Sequence, residues 1–72
     1  MSSRTAALAD LIRQELVRVG RPEVAVTVGP DERTVLLADA HGQWQGPLPI
    51  AYGRLAASER VEGGAQFWAQ LA

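Results

Sequence analysis

The chain has 72 residues, with seven arginines, eight acidic residues, one histidine and no cysteine. A domain of this length buries only about 60% of the surface that its unfolded chain exposes. Without cysteine it has neither disulfides nor the usual ligands of a structural zinc site, so neither can supplement a small core. We therefore expect one domain over residues 1–72 that gains further stability from a second copy or a larger partner.

The net charge is only −1, but the charges are unevenly distributed. Residues 1–22 carry four arginines and two acidic residues, whereas residues 23–40 carry one arginine and four acidic residues. This polarity can orient a partner, but it is too weak to indicate nucleic-acid binding by itself. No stretch has the roughly 18 apolar residues needed to cross a membrane, and none resembles a signal peptide. We expect a cytoplasmic protein.

The first predicted element is an amphipathic helix over Ser3–Val19. Gly20 is suited to the left-handed residue that ends a helix, and Pro22 prevents continuation. Glu15 lies inside the apolar arc, where its carboxylate either reaches water or an arginine such as Arg18, or is partly buried with a specific partner. Five apolar residues fall in one arc of about 140° at the helical period: Leu8, Leu11, Ile12, Leu16 and Val19.

An alternating hairpin follows, with segments 23–29 and 34–40 joined by the turn Pro30–Arg33. Pro30 presets φ for a turn, and the side chain of Asp31 can bond nearby backbone. Because the side-chain period of a strand is two, one face of the first segment carries three valines: Val24, Val26 and Val28. The other face of the hairpin is also rather apolar, with Ala25, Leu36 and Ala38.

A third strand is predicted over residues 43–45, with Trp44 on one side, a glutamine on each side of it facing the other way, and Gly46-Pro47 ending the strand. Residues Pro47–Ala57 are predicted to form a short helix or an irregular turn. A last helix is predicted from Ser58 to the C-terminus, because its apolar residues share one arc despite two glycines. These apolar-arc residues are Val61, Gly64, Ala65, Phe67, Trp68, Leu71 and Ala72.

The predicted fold class is therefore α+β, in the order α-β-β-β-(short α)-α, with an antiparallel three-stranded sheet packed against helices. Helices that cover only one face of such a sheet leave the other face exposed. An exposed apolar face is covered most economically by a second copy or by a partner.

Motifs for catalysis, metal binding and phosphate binding are not found. His41, the single histidine, lies in a predicted turn beside Asp39, and these two residues are too few for a metal site. No serine stands in a nucleophile motif, and a phosphate-binding loop of the Gly-x-x-x-x-Gly-Lys type needs a lysine that the chain lacks. We expect no enzyme, cofactor or metal. A small enzyme or ligand-binding protein using His41, Asp39 and Glu15 is the third of three hypotheses.

The predicted order helix–strand–strand–strand–helix resembles that of the double-stranded-RNA-binding domain. Membership would imply basic residues at the start of the last helix, where that domain contacts phosphates. Here residues Ser58–Glu62 are net acidic, so the resemblance extends to element order only. Nucleic-acid binding is the second hypothesis, and it rests on the arginines of the first helix and its end: Arg4, Arg13, Arg18 and Arg21.

The leading hypothesis is a non-enzymatic protein-interaction module that acts as a homodimer or as a small subunit of a larger complex. Aromatic residues with arginine nearby have the composition of interface hot spots, although aromatics also serve the core of a domain this small. The candidate partner-binding residues are Trp44, Tyr52, Arg54, Phe67 and Trp68.

Overall fold

The computed structural model describes residues 1–72 and contains three helices and three strands. The strands form one antiparallel sheet in the order β1-β2-β3. The α+β class and the predicted order of elements are confirmed. The elements are α1 (Ser3–Arg18), β1 (Ala25–Val28), β2 (Thr34–Ala38), β3 (Gln43–Pro47), α2 (Leu48–Ala56) and α3 (Gly64–Leu71).

Helix α1 begins and ends close to where the sequence predicts. The hydroxyl of Ser2 caps it by accepting the Thr5 N–H at 3.2 Å. Gly20 has φ +83°, the left-handed value that favours glycine at a helix end. The predicted apolar arc is wrong at Leu11, which is 41% exposed, because Ala9 takes part in the buried face instead.

The register of the sheet places three pairs of large apolar residues on one face. Leu37 pairs with Val26 on β1 and with Trp44 on β3, and Val35 pairs with Val28. Strand β3 extends two residues beyond the prediction, so that its last residue, Pro47, lies at the end of an edge strand. There the ring removes no bond from the centre of the ladder.

The β1–β2 turn confirms the expected role of Asp31. Its Oδ1 accepts the backbone N–H groups of Arg33 at 3.0 Å and Thr34 at 3.3 Å. Glu32 in the same turn has φ +58°, a left-handed conformation that is uncommon for a residue with a side chain.

The segment predicted as a short helix or a turn is the helix α2. It starts directly after β3, with Pro47 as its N-cap and Pro49 in its first turn, where a missing N–H removes no helical bond. The Leu48 N–H donates to the Arg33 carbonyl at 2.9 Å, which ties the start of α2 to the beginning of β2.

The prediction that the last helix starts at Ser58 is wrong. Helix α3 starts at Gly64, and Gly63 is its N-cap with extended backbone angles. The Ser58 hydroxyl donates to the Arg54 carbonyl at 2.8 Å, so it completes the end of α2 rather than capping α3. Two adjacent glycines cost a helix about 1 kcal/mol each, and here that penalty outweighs the shared arc.

The segment between α2 and α3 is held instead by the end of α1. The Val61 N–H donates to the Val19 carbonyl at 3.4 Å. The guanidinium of Arg21 donates to the carbonyls of Val61, at 3.2 Å, and Glu62. These tertiary bonds satisfy backbone groups that a helix would otherwise have paired internally.

The core lies between the helices and the face of the sheet that carries Val35 and Leu37. Every helix and the central strand contribute to it. Its eleven buried residues are Ile12, Leu16, Val19, Val24, Val35, Leu37, Leu48, Ala51, Leu55, Phe67 and Leu71.

Gly53 tests the placement of α2. It lies in the interior of the helix, and an added Cβ would meet no atom within 4 Å. We expect Gly53→Ala to raise the free energy of unfolding by about 1 kcal/mol, because alanine is the better helix former. Urea denaturation measures this change, and a loss of stability would contradict a helix at this position.

A substitution at Gly42 tests the packing of α3, and here we expect a loss of stability rather than a gain. An added Cβ there would lie 2.8 Å from Cγ of Trp68, which is too close for either group to stay in place. We expect Gly42→Ala to lower the free energy of unfolding by about 1–3 kcal/mol through overpacking. The same urea titration applies, and a neutral result would show that the Trp68 ring is not held over this turn.

Candidate functional site

The five candidate partner-binding residues do not form one exposed patch. Phe67 is 0% exposed and belongs to the core, so it is unavailable to a partner of the folded chain. Trp68 packs edge-on against it, with ring centroids 4.9 Å apart, and is half-buried. Arg54 donates to the Leu71 carbonyl at 2.9 Å near the end of α3. Trp44 and Tyr52 are half-buried against the core and keep part of their surface open to solvent.

Asp39 is the centre of a polar cluster between the β2–β3 turn and α3. Its Oδ1 accepts the backbone N–H groups of His41 at 2.7 Å and Gly42 at 3.1 Å, and the indole N–H of Trp68 at 2.7 Å. Its Oδ2 is buried without a partner. Burial acts to raise the pKa of Asp39, but the three hydrogen bonds and the nearby His41 together lower it below its ordinary value. The cluster fastens α3 to the turn.

The three residues of the enzyme hypothesis do not come together: Asp39 and His41 lie in the β2–β3 turn, and Glu15 lies on α1. His41 is exposed, and its ring lies against Gly64, where an added Cβ would overlap the ring. Glu15 instead pairs with Arg18 on α1, as one reading of the sequence predicts. No cluster of three or more His, Asp or Glu side chains is placed to hold a metal ion.

Most of the arginines invoked for nucleic-acid binding are used within the chain itself. Arg13 pairs with Asp10 at 3.1 Å. Arg18 donates to the carbonyls of Leu55 and Ser58, both at 2.9 Å, and Arg21 is similarly bonded to the segment that precedes α3. Of the four, only the side chain of Arg4 makes no hydrogen bond or ion pair within the chain.

The face of the sheet opposite the core is covered by no helix. Leu36 is half-buried at its centre, between its cross-strand neighbours Thr27 on β1 and Gln45 on β3. The three strands contain no charged residue at all. We call this surface the outer sheet face, and it consists of Ala25, Thr27, Thr34, Leu36, Ala38, Gln43, Gln45 and Pro47.

A cavity of about 350 Å³ lies where the start of α1, the β1–β2 turn and the start of α2 meet. Leu48, 2% exposed, and the half-buried Leu8 form its deep part, whereas its charged residues are exposed and lie at its mouth. The lining residues are Arg4, Thr5, Leu8, Glu32, Arg33, Pro47, Leu48 and Pro49.

Sequence reasoning missed this cavity because its walls come from three distant segments. The only local indication was the run Pro47-Leu48-Pro49. Its two prolines show that the backbone is restricted there, but not that these residues line a cavity. The outer sheet face, in contrast, could be anticipated from the alternation of the hairpin.

Comparison with known proteins adds no family: no protein-family model, curated protein or solved structure matches the chain. None of its helices combines the length and apolar character that crossing a membrane requires.

Asp39 gives the stability of the protein a defined pH dependence. Because the pKa of Asp39 is lowered from 3.8 in the folded chain, its stabilising contribution is complete above that value and is lost as the pH falls through the lower folded value. We expect Asp39→Asn to lower the free energy of unfolding at neutral pH, and the difference from wild type to shrink below about pH 4. Urea denaturation at a series of pH values measures this.

Asp10→Asn is the matched control, because Asp10 is an exposed carboxylate that pairs only with Arg13. It should change stability by less than about 1 kcal/mol at neutral pH. A difference between wild type and Asp39→Asn that stays constant through the acidic range would show that the charge of Asp39 is not what stabilises the cluster.

Proposed function

We propose that this chain is a non-enzymatic protein-interaction module that self-associates through its outer sheet face. The observation that supports this is the combination of an uncovered face and strands without any charged residue. Charged residues are depleted at the centres of protein interfaces, whereas 21% of this chain as a whole is charged. The outer sheet face therefore has the composition of a surface that becomes buried.

A second copy is the occupant that fits this face best. In a twofold dimer each residue meets the same surface on its partner. An uncharged face can meet itself without opposing like charges, while a charged face would need a complementary partner. Leu36 at the centre would supply apolar contact, the small side chains of Ala25 and Ala38 would allow close approach, and Thr27 and Gln45 could hydrogen-bond across the interface.

The size of the core supports the same proposal. Only 14 of the 72 residues are buried in the single chain. Two sheets packed face to face bury a layer of side chains between them about 10 Å thick. Leu36, half-buried in the single chain, would become a core residue of the dimer.

The test is the oligomeric state of wild type and of two arginine variants. Sedimentation equilibrium from micromolar to submillimolar concentration should show a wild-type dimer. Leu36→Arg should be monomeric, because the dimer would bury two opposed guanidinium groups without partners. Val17→Arg is the matched control, since Val17 is 59% exposed on α1, away from the sheet, and this variant should dimerise normally.

Far-UV circular dichroism establishes that both variants are folded. A wild-type chain that stays monomeric over the whole range would overturn self-association. A dimer that survives Leu36→Arg and is broken by Val17→Arg would move the interface from the outer sheet face to α1.

A further inference from the structure

We propose that the cavity between α1, the β1–β2 turn and α2 is a binding site for a small amphipathic carboxylate, an apolar body bearing one anionic group. The site shares only Pro47, at the end of β3, with the outer sheet face, and Leu36 at the centre of that face lies outside it. The inference therefore does not rest on the proposed function.

The volume and the apolar lining residues of the cavity determine which apolar part of a ligand would fit in it. Its volume of about 350 Å³ lies at the lower end of the range for small-molecule sites. Leu8 presents apolar surface, Leu48 adds little more because it is only 2% exposed, and Pro47 and Pro49 add rings that carry no N–H donor. An apolar body gains from leaving water on contact with these side chains.

The charges at the mouth determine the head group. Neither Arg4 nor Arg33 makes a side-chain hydrogen bond or an ion pair within the chain, although Glu32 lines the same cavity. The carboxylate of Glu32 accepts the Ser2 N–H at 2.6 Å instead. Two guanidinium groups without partners exceed this single carboxylate by one positive charge. A carboxylate matches a guanidinium in charge and in its two-pronged geometry.

The mouth is also held in place before any ligand arrives. The Arg33 carbonyl accepts the Leu48 N–H at 2.9 Å, which fixes the backbone beneath one arginine to the start of α2. Glu32 keeps its left-handed φ of +58° next to this residue, and its bond to Ser2 ties the turn to the start of α1, close to Arg4. Because these two hydrogen bonds fix the mouth of the cavity, its residues lose less conformational entropy when a ligand binds.

The experiment is a titration of isotope-labelled full-length protein with sodium octanoate, followed by two-dimensional amide NMR. We expect saturable shifts of the amide signals of Thr5, Leu8, Arg33 and Leu48. Acetate, which has the charge but no apolar body, and octanamide, which has the body but no charge, should each bind at least about tenfold more weakly.

Exposed-residue variants separate the site from general attraction to positive charge. Arg33→Gln and Arg4→Gln should each weaken octanoate binding by about tenfold, as expected for a lost hydrogen bond to a charged group. Arg13→Gln is the matched control, because Arg13 lies on α1 outside the cavity and pairs with Asp10. It should leave the affinity unchanged.

Three results would each overturn the proposal. The amide signals of the cavity residues could stay in place at saturating octanoate. Octanamide could bind as tightly as octanoate, which would exclude a role for the two arginines. Arg13→Gln could weaken binding as much as Arg33→Gln, which would show that octanoate responds to net charge rather than to this cavity.

Discussion

The burial of a single face of the sheet is the constraint on which the rest of the structure depends. Val35 and Leu37 on the central strand are 1% and 0% exposed, and both point to the same side because the side-chain period of a strand is two. A domain of 72 residues buries only about 60% of the surface that its unfolded chain exposes, and here the buried strand residues lie on one face of the sheet. Its helices contribute to the one core that these residues define, so the outer sheet face remains open and the cavity forms where α1 and α2 meet above the first turn.

The arginines near the end of α1 show how a small domain uses its charged side chains as structural donors. Arg18 bonds to the carbonyls of Leu55 and Ser58, and Arg21 to those of Val61 and Glu62. Leu55 lies in the last turn of α2, and Ser58, Val61 and Glu62 lie in the irregular segment that follows, so these carbonyls need donors from elsewhere in the chain. A guanidinium group offers five donors in a fixed plane and can satisfy several carbonyls at once. The segment that Arg21 holds leads into α3, whose Trp68 donates to Asp39.

Features that depend on residues close in sequence could be predicted, whereas features that depend on residues distant in sequence could not. The strand alternation and the stop at Gly20 depend on neighbouring residues, and the structure agrees with both. The predicted start of α3 is wrong because the apolar arc from Val61 to Leu71 suggests one continuous helix. The Val61 N–H instead donates to the carbonyl of Val19, which is distant in sequence. The Asp39–Trp68 bond and the cavity likewise join distant segments, and no local pattern marks them.

The proposed dimer and the proposed ligand site involve the same part of the sheet, the strand β2 and the turn before it. Leu36 faces outward at the middle of β2, while Arg33, just before the strand, reaches the cavity and binds the start of α2 through its carbonyl. Self-association would cover the outer face of β2, and a ligand would contact Arg33 just before the strand begins. Both events require the folded chain, so each would stabilise that state by mass action. Only 14 residues are buried in the single chain, and the free energy of unfolding of a small domain is only a few kcal/mol, so the free energy of binding would be a large addition to it.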